Sequence, residues 1–120
     1  MSFLFVALGG ALGAVFRYAI SLISVKSEFP ILTLITNVIG AVLIGFIVGI
    51  VTTRDVSQNT VLFWKTGVCG GFTTFSTFSL EAYDLIENKS YLAGGCYIVL
   101  SVSLCVLGVF IGKKLALLIS

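Results

Sequence analysis

Histidine is absent from the 120 residues, and the three cysteines, Cys69, Cys96 and Cys105, form no cluster. That removes the usual zinc arrangements, which gather Cys and His ligands at close spacing. Three is an odd number, and each thiol sits among apolar or small residues, so buried free thiols are expected rather than a disulfide framework. Charge is scarce as well. Seven basic and five acidic residues make up 10% of the chain, against about 25% in a soluble domain. The formal net charge of +2 comes with no basic run, which argues against nucleic acid as a partner. There is no phosphate-binding glycine loop, no Ser/His/Asp set and no pair of carboxylates inside an apolar run. Nothing here points to an enzyme.

Apolar residues fill the space that charge leaves. They make up 58% of the sequence, with a mean hydropathy of +1.18, which is the composition of a bilayer protein. Met1, Ser2 and Phe3 give no charged leader region, and the apolar stretch runs on through Arg17, so a retained first helix is expected rather than a signal peptide. A spanning helix needs about 20 mostly apolar residues. Four stretches meet that length: about 3–23, 31–53, 61–86 and 91–112, giving a single integral membrane domain over 1–120. The expected fold is an all-α bundle of four transmembrane helices.

The first span holds one charge, Arg17, and a charge in lipid must face protein or water or reach an interface. Two readings stay open: snorkelling toward residues 24–29, or facing a water-filled vestibule. Gly9 and Gly13 form a GxxxG pair that lets another helix come close, and Gly45 and Gly49 repeat the device in the second span. That second span carries no charge but contains Asn37, with Thr33 and Gly40 near the same face. Asn37 serves either an interhelical hydrogen bond or a permeating species. Ser57, Asn59 and Thr60 offer caps for a helix beginning near Val61, and Trp64 with Lys65 marks an interface. In the fourth span Tyr97, Ser101 and Cys105 recur by fours along one face, as a polar track or as a small-residue packing face ending in Gly108 and Gly112.

The third span is unlike the others. Gly67, Gly70 and Gly71 each lower helix stability by roughly 1 kcal/mol relative to Ala, so an interruption is expected at 70–73. Freed backbone groups there must find partners in protein, water or an ion. Phe72, Phe75 and Phe78 recur every third residue and are expected near one face of the resumed helix. Thr73, Thr74, Ser76, Thr77 and Ser79 fill the gaps with small donors and acceptors. Glu81, Asp84 and Glu87 fall at the exit end, toward an aqueous mouth. Neutral donors beside phenylalanine edges, which carry the positive part of the ring quadrupole, suit a small anion held weakly enough to leave.

Four spans put the N-terminus, the 53–60 loop and the C-terminus on one side, with Arg54, Lys65, Lys113 and Lys114. Lys26 and Lys89 lie opposite, with Arg17 reaching toward them. Four against three is a weak orientation signal. Such a chain could insert both ways, which would allow an antiparallel dimer of one sequence; a slight N-inside preference, or pairing with a differently oriented paralogue as a heterodimer, stays open as well.

The run Gly70-Gly71-Phe72-Thr73-Thr74-Phe75-Ser76-Thr77-Phe78-Ser79-x-Glu81 is long and unusual. Together with Thr33-x3-Asn37-x2-Gly40 and Gly9-Gly10-x2-Gly13-x3-Arg17, it resembles the Fluc (CrcB) family of fluoride channels over essentially the whole chain. The resemblance implies an antiparallel, dual-topology dimer in the inner membrane, with fluoride pores along the subunit interface. It implies pore roles for Asn37, Phe75 and Phe78, with Thr74, Ser76, Thr77, Tyr97, Ser101 and Cys105 on the donor track, and leaves Phe72 structural. A thiol at Cys105 departs from the family's hydroxyl. The resemblance further implies a vestibule carboxylate at Glu81, with Arg17 the other vestibule residue, and a structural sodium ion at the dimer centre, held by backbone carbonyls of Gly70 and Thr73. Two other classes compete. A small multidrug exporter has a similar size but needs a membrane-embedded carboxylate in its first helix, which this chain lacks. A non-transporting structural subunit would use the GxxxG pairs but would not need Asn37 or the hydroxyl–phenylalanine run.

Overall fold

A computed structural model describes residues 1–119; their regular structure is all helical, with no strand among them. Helix α1 covers Ser2–Ser21 and α2 covers Ile31–Thr53, with Pro30 at its N-cap. The third crossing is composite. A short α3 (Gln58–Val61) passes into a π-helical segment (Leu62–Cys69) and then a last turn, α4 (Gly70–Phe72). After two extended residues, α5 runs over Phe75–Glu87, and α6 over Tyr91–Ile119. Three helices, α1, α2 and α6, are each long and apolar enough to cross a bilayer. The third crossing reaches that length only as the sum of its pieces.

Local chemistry sets most of these boundaries. The Ser57 hydroxyl accepts from the Thr60 amide, starting α3 at Gln58, three residues ahead of Val61. Lys89 closes α5 with φ 63°, a left-handed residue where glycine is usual. Its amide bonds the Ile86 carbonyl, and the Ser90 amide bonds that of Leu85, so the chain turns sharply into α6. The fourth crossing runs past the expected 112: Lys113 and Lys114 lie inside α6, which continues to Ile119. At 1.5 Å per residue its 29 residues span about 44 Å, longer than a hydrocarbon core of roughly 30 Å.

Glycine pairs decide which helices touch. A Cβ added at Gly13 would collide with the Val68 carbonyl and lie 2.8 Å from the Phe72 nitrogen. One added at Gly67 would lie 2.8 Å from the Cα of Gly9, and one at Gly71 would strike the Gly10 carbonyl. So α1 and the first half of the third crossing meet backbone to backbone, glycine against glycine. The pair α2 and α6 does the same, with Gly45 against Val109 and Gly112 against Val42 and Phe46. Without a hydrophobic drive between helices in lipid, such close packing supplies the attraction. Large side chains on the outside remain exposed, Phe3 at 92% and Leu92 at 82% among them, as lipid contact requires.

Candidate functional site

The third crossing breaks at Thr73 (ψ 153°) and Thr74 (φ −147°), both extended, while Gly70 and Gly71 still belong to a helical turn. Glycine content points to 70–73, but tertiary partners choose the point. Thr73 packs its methyl where Gly40 has no side chain, and its hydroxyl bonds back to the Cys69 carbonyl at 2.8 Å. Asn37 then takes both backbone groups of Thr74: its Oδ1 accepts from the amide at 2.9 Å, and its Nδ2 donates to the carbonyl at 3.2 Å. The Thr74 amide is the group a continuous helix would offer to the Gly70 carbonyl. Asn37 is thus the side chain that holds the helix open.

The two ends so created differ in sign. The first half ends in carbonyls and the second begins in amides, equivalent to partial charges of about −0.5 and +0.5. Thr74 caps the second half, its Oγ1 accepting from the Thr77 amide and donating to Thr77 Oγ1, each at 3.2 Å, with Ser76 Oγ also 3.2 Å away. On the first half, the Gly71 carbonyl accepts from Arg17 Nε at 3.1 Å. Arg17 therefore points into the protein rather than snorkelling toward 24–29.

A cleft of about 580 Å³ opens on the break, walled by α2, the third crossing and α6. Asn37, Gly70, Thr73, Thr74, Phe75, Phe78, Ser101 and Cys105 all line it. Phe75 is 79% exposed and Phe78 only 9%, their ring centroids 5.5 Å apart. The Ser101 hydroxyl is buried yet has no hydrogen-bond partner among the described residues, an unspent donor on a residue that lines the cleft. Cys105, one turn further along α6, is half-buried.

Other expected residues lie elsewhere. Tyr97 is 0% exposed, packed behind Phe78 at 5.1 Å, and its hydroxyl donates to Glu81 Oε1 at 3.1 Å. Neither Tyr97 nor Glu81 lines the cleft. Arg17 and Thr77 share a second, smaller cavity of about 70 Å³ with Thr33, Thr36 and Thr74. Thr74 alone lines both cavities. Ser76 is exposed beside the cap. The expectation that Phe72, Phe75 and Phe78 share one face is corrected: Phe72 precedes the break and is buried at 8%, with its ring beside Gly40. Sequence reading missed several lining residues, Thr66 and Cys69 on the large cleft among them. Thr36, beside Asn37, is buried against the small cavity, and Lys65, read as an interface marker, lies on the large cleft wall.

A family model described as CrcB-like protein, Camphor Resistance (CrcB), matches residues 4–113. The chain belongs to the CrcB family. Among its relatives, a protein of Roseiflexus sp. (strain RS-1) is 42% identical, over 97% of this chain and 97% of its own length. One from Clostridium perfringens (strain 13 / Type A) is 45% identical, over 94% and 91% respectively. One from Shewanella woodyi is 43% identical, over 93% of each. All three carry the name fluoride-specific ion channel FluC. As a CrcB chain with three full-length apolar helices and a broken third crossing, the molecule is a multi-pass membrane protein.

Proposed function

We propose that the chain is a passive, fluoride-selective channel of the inner membrane that lets fluoride leave the cytoplasm and so relieves its toxicity. The observation that carries this reading is the broken helix, with its amide end, Asn37 and the unpaired Ser101 hydroxyl gathered around one cleft. Apart from Lys65, every polar group lining that cleft is neutral. Neutral donors can replace an anion's water without holding it too tightly to leave. The names of the relatives single out fluoride among small anions.

The cleft reads as half of a pathway. Phe75 at 79% exposure cannot close it alone, and an antiparallel second copy would bring a second wall. The same break suits a structural sodium ion at the dimer centre. With the Thr74 amide held by Asn37, the Gly70 carbonyl is released from that helical bond, and unwound carbonyls at half-helix ends are common sodium ligands. Gly70 faces open space, and Thr73 turns extended directly after the last helical turn, so both carbonyls fit the role. No carboxylate lies in α1, which disfavours the exporter reading.

The test is anion efflux from liposomes carrying the purified protein, with fluoride and chloride compared side by side. Fluoride release without chloride release is the expected result, and release of neither anion would overturn the channel reading. Replacing sodium with a bulky organic cation should weaken flux slowly, as a trapped ion is lost. Unchanged flux and unchanged dimer content after exhaustive exchange would remove sodium from the account.

A further inference from the structure

Four rings run in series from the α1–α2 loop to the cleft: Phe29, Tyr97, Phe78 and Phe75. Phe29 meets Tyr97 edge-on, with centroids 5.5 Å apart and planes at 81°; Tyr97 meets Phe78 at 5.1 Å, and Phe78 meets Phe75 at 5.5 Å. Tyr97 has no accessible surface, so its ring can move only if a neighbour moves.

The loop that carries Phe29 is itself tied down. The Phe29 amide donates to Ser27 Oγ at 3.2 Å, and the Phe29 carbonyl accepts from the Ile31 amide at 2.8 Å. Next to it, Glu28 Oε1 accepts from the Ser90 hydroxyl, at the residue just ahead of α6. Loop and α6 are therefore joined at two adjacent residues, one by a clasp at the surface and one by an aromatic edge below it.

We propose that Phe29 is a positioning residue: with the Glu28–Ser90 clasp, it holds Tyr97 against Phe78 and thereby fixes the ring that lines the cleft. Phe29 does not touch the cleft itself and works only through the two rings ahead of it. The inference rests on the channel reading, because its consequence is a change in anion passage.

The experiment compares wild type with Phe29→Ala, Phe29→Leu and Phe29→Tyr in the same liposomes, measuring fluoride efflux and the fluoride-to-chloride ratio. Phe29→Tyr keeps the ring and should keep wild-type flux and ratio. Phe29→Leu keeps most of the apolar volume but loses the edge-on contact, and should lower fluoride flux about three- to tenfold, the factor that one aromatic pair is worth. Its fluoride-to-chloride ratio should fall as well, since a loosened Phe78 lines the anion path. Phe29→Ala should do the same or more. Wild-type flux and ratio in Phe29→Leu would overturn the proposal. So would an equal loss in all three variants with an unchanged ratio, which would make Phe29 a filler of space. Wild-type protein that passes no fluoride would instead sink the channel reading, and this inference with it.

Discussion

At the scale of single residues, Asn37 uses both ends of its amide on the backbone of Thr74. Removing the side chain leaves the Thr74 N–H unpaired beside the break, at about 1–3 kcal/mol where water cannot replace the partner, while the Thr74 carbonyl, as the N-cap of α5, keeps its helical bond. Asn37→Ala should therefore lower the thermal midpoint in detergent and also cut fluoride efflux at least about tenfold, the effect of roughly 1.4 kcal/mol on a barrier. Asn37→Asp separates the two roles. Its carboxylate can still accept from the Thr74 amide, so it should lose less stability than Ala does. It also adds negative charge to the wall of the cleft, where it would repel a passing anion, so its flux should be as low as that of Ala or lower. Stability and flux falling in the same order across the two variants would reduce Asn37 to a structural clamp. The importance of this residue was legible in the sequence, because a lone amide in an uncharged span must have a partner. Its partner was not legible. Nor was the burial of Tyr97, because helix rotation decides whether a residue on a polar stripe faces a cleft or a neighbouring ring.

Among the helices, the glycine pairs carry the fold, and they make opposite predictions at two sites. Gly13 lies where an added Cβ would collide with the Val68 carbonyl, while Gly95 has nothing within 4 Å. Gly13→Ala should push α1 off the third crossing and lower the thermal midpoint by well over what helix propensity returns. Gly95→Ala should leave it unchanged or raise stability by up to about 1 kcal/mol. Equal effects at the two positions, read by thermal unfolding in detergent, would mean that glycine contacts do not hold the helices together. The GxxxG pairs were plain in the sequence, and so was the number of crossings, since both follow from spacing and length. The Leu62–Cys69 π-helical segment was not, because an i→i+5 hydrogen-bond pattern has no residue signature comparable to a cap. The place of the break was half legible. Three glycines marked the neighbourhood, and then Asn37 and the contact of Thr73 with Gly40 moved it to Thr73–Thr74.

For the whole molecule, orientation in the membrane follows from a small charge balance. Arg54, Lys65, Lys113 and Lys114 lie toward one face, Lys26 and Lys89 toward the other. Arg17 no longer counts for the second face, because its guanidinium is turned inward to the Gly71 carbonyl. Four against two is still a difference that a couple of lysines can fix or reverse. An antiparallel dimer of one sequence needs both orientations present, so locking either should silence it. Val56→Lys with Gln58→Lys should hold every copy with the N-terminus inside. Lys113→Gln and Lys114→Gln, combined with Ser24→Lys and Asn88→Lys, should hold every copy the other way. Each variant expressed alone should reach the membrane yet give little fluoride efflux from liposomes, and co-expression should restore it. Full flux from either locked variant alone would show that parallel copies suffice. In that case the cleft walled by α2, the third crossing and α6 would have to be closed by a partner in the same orientation.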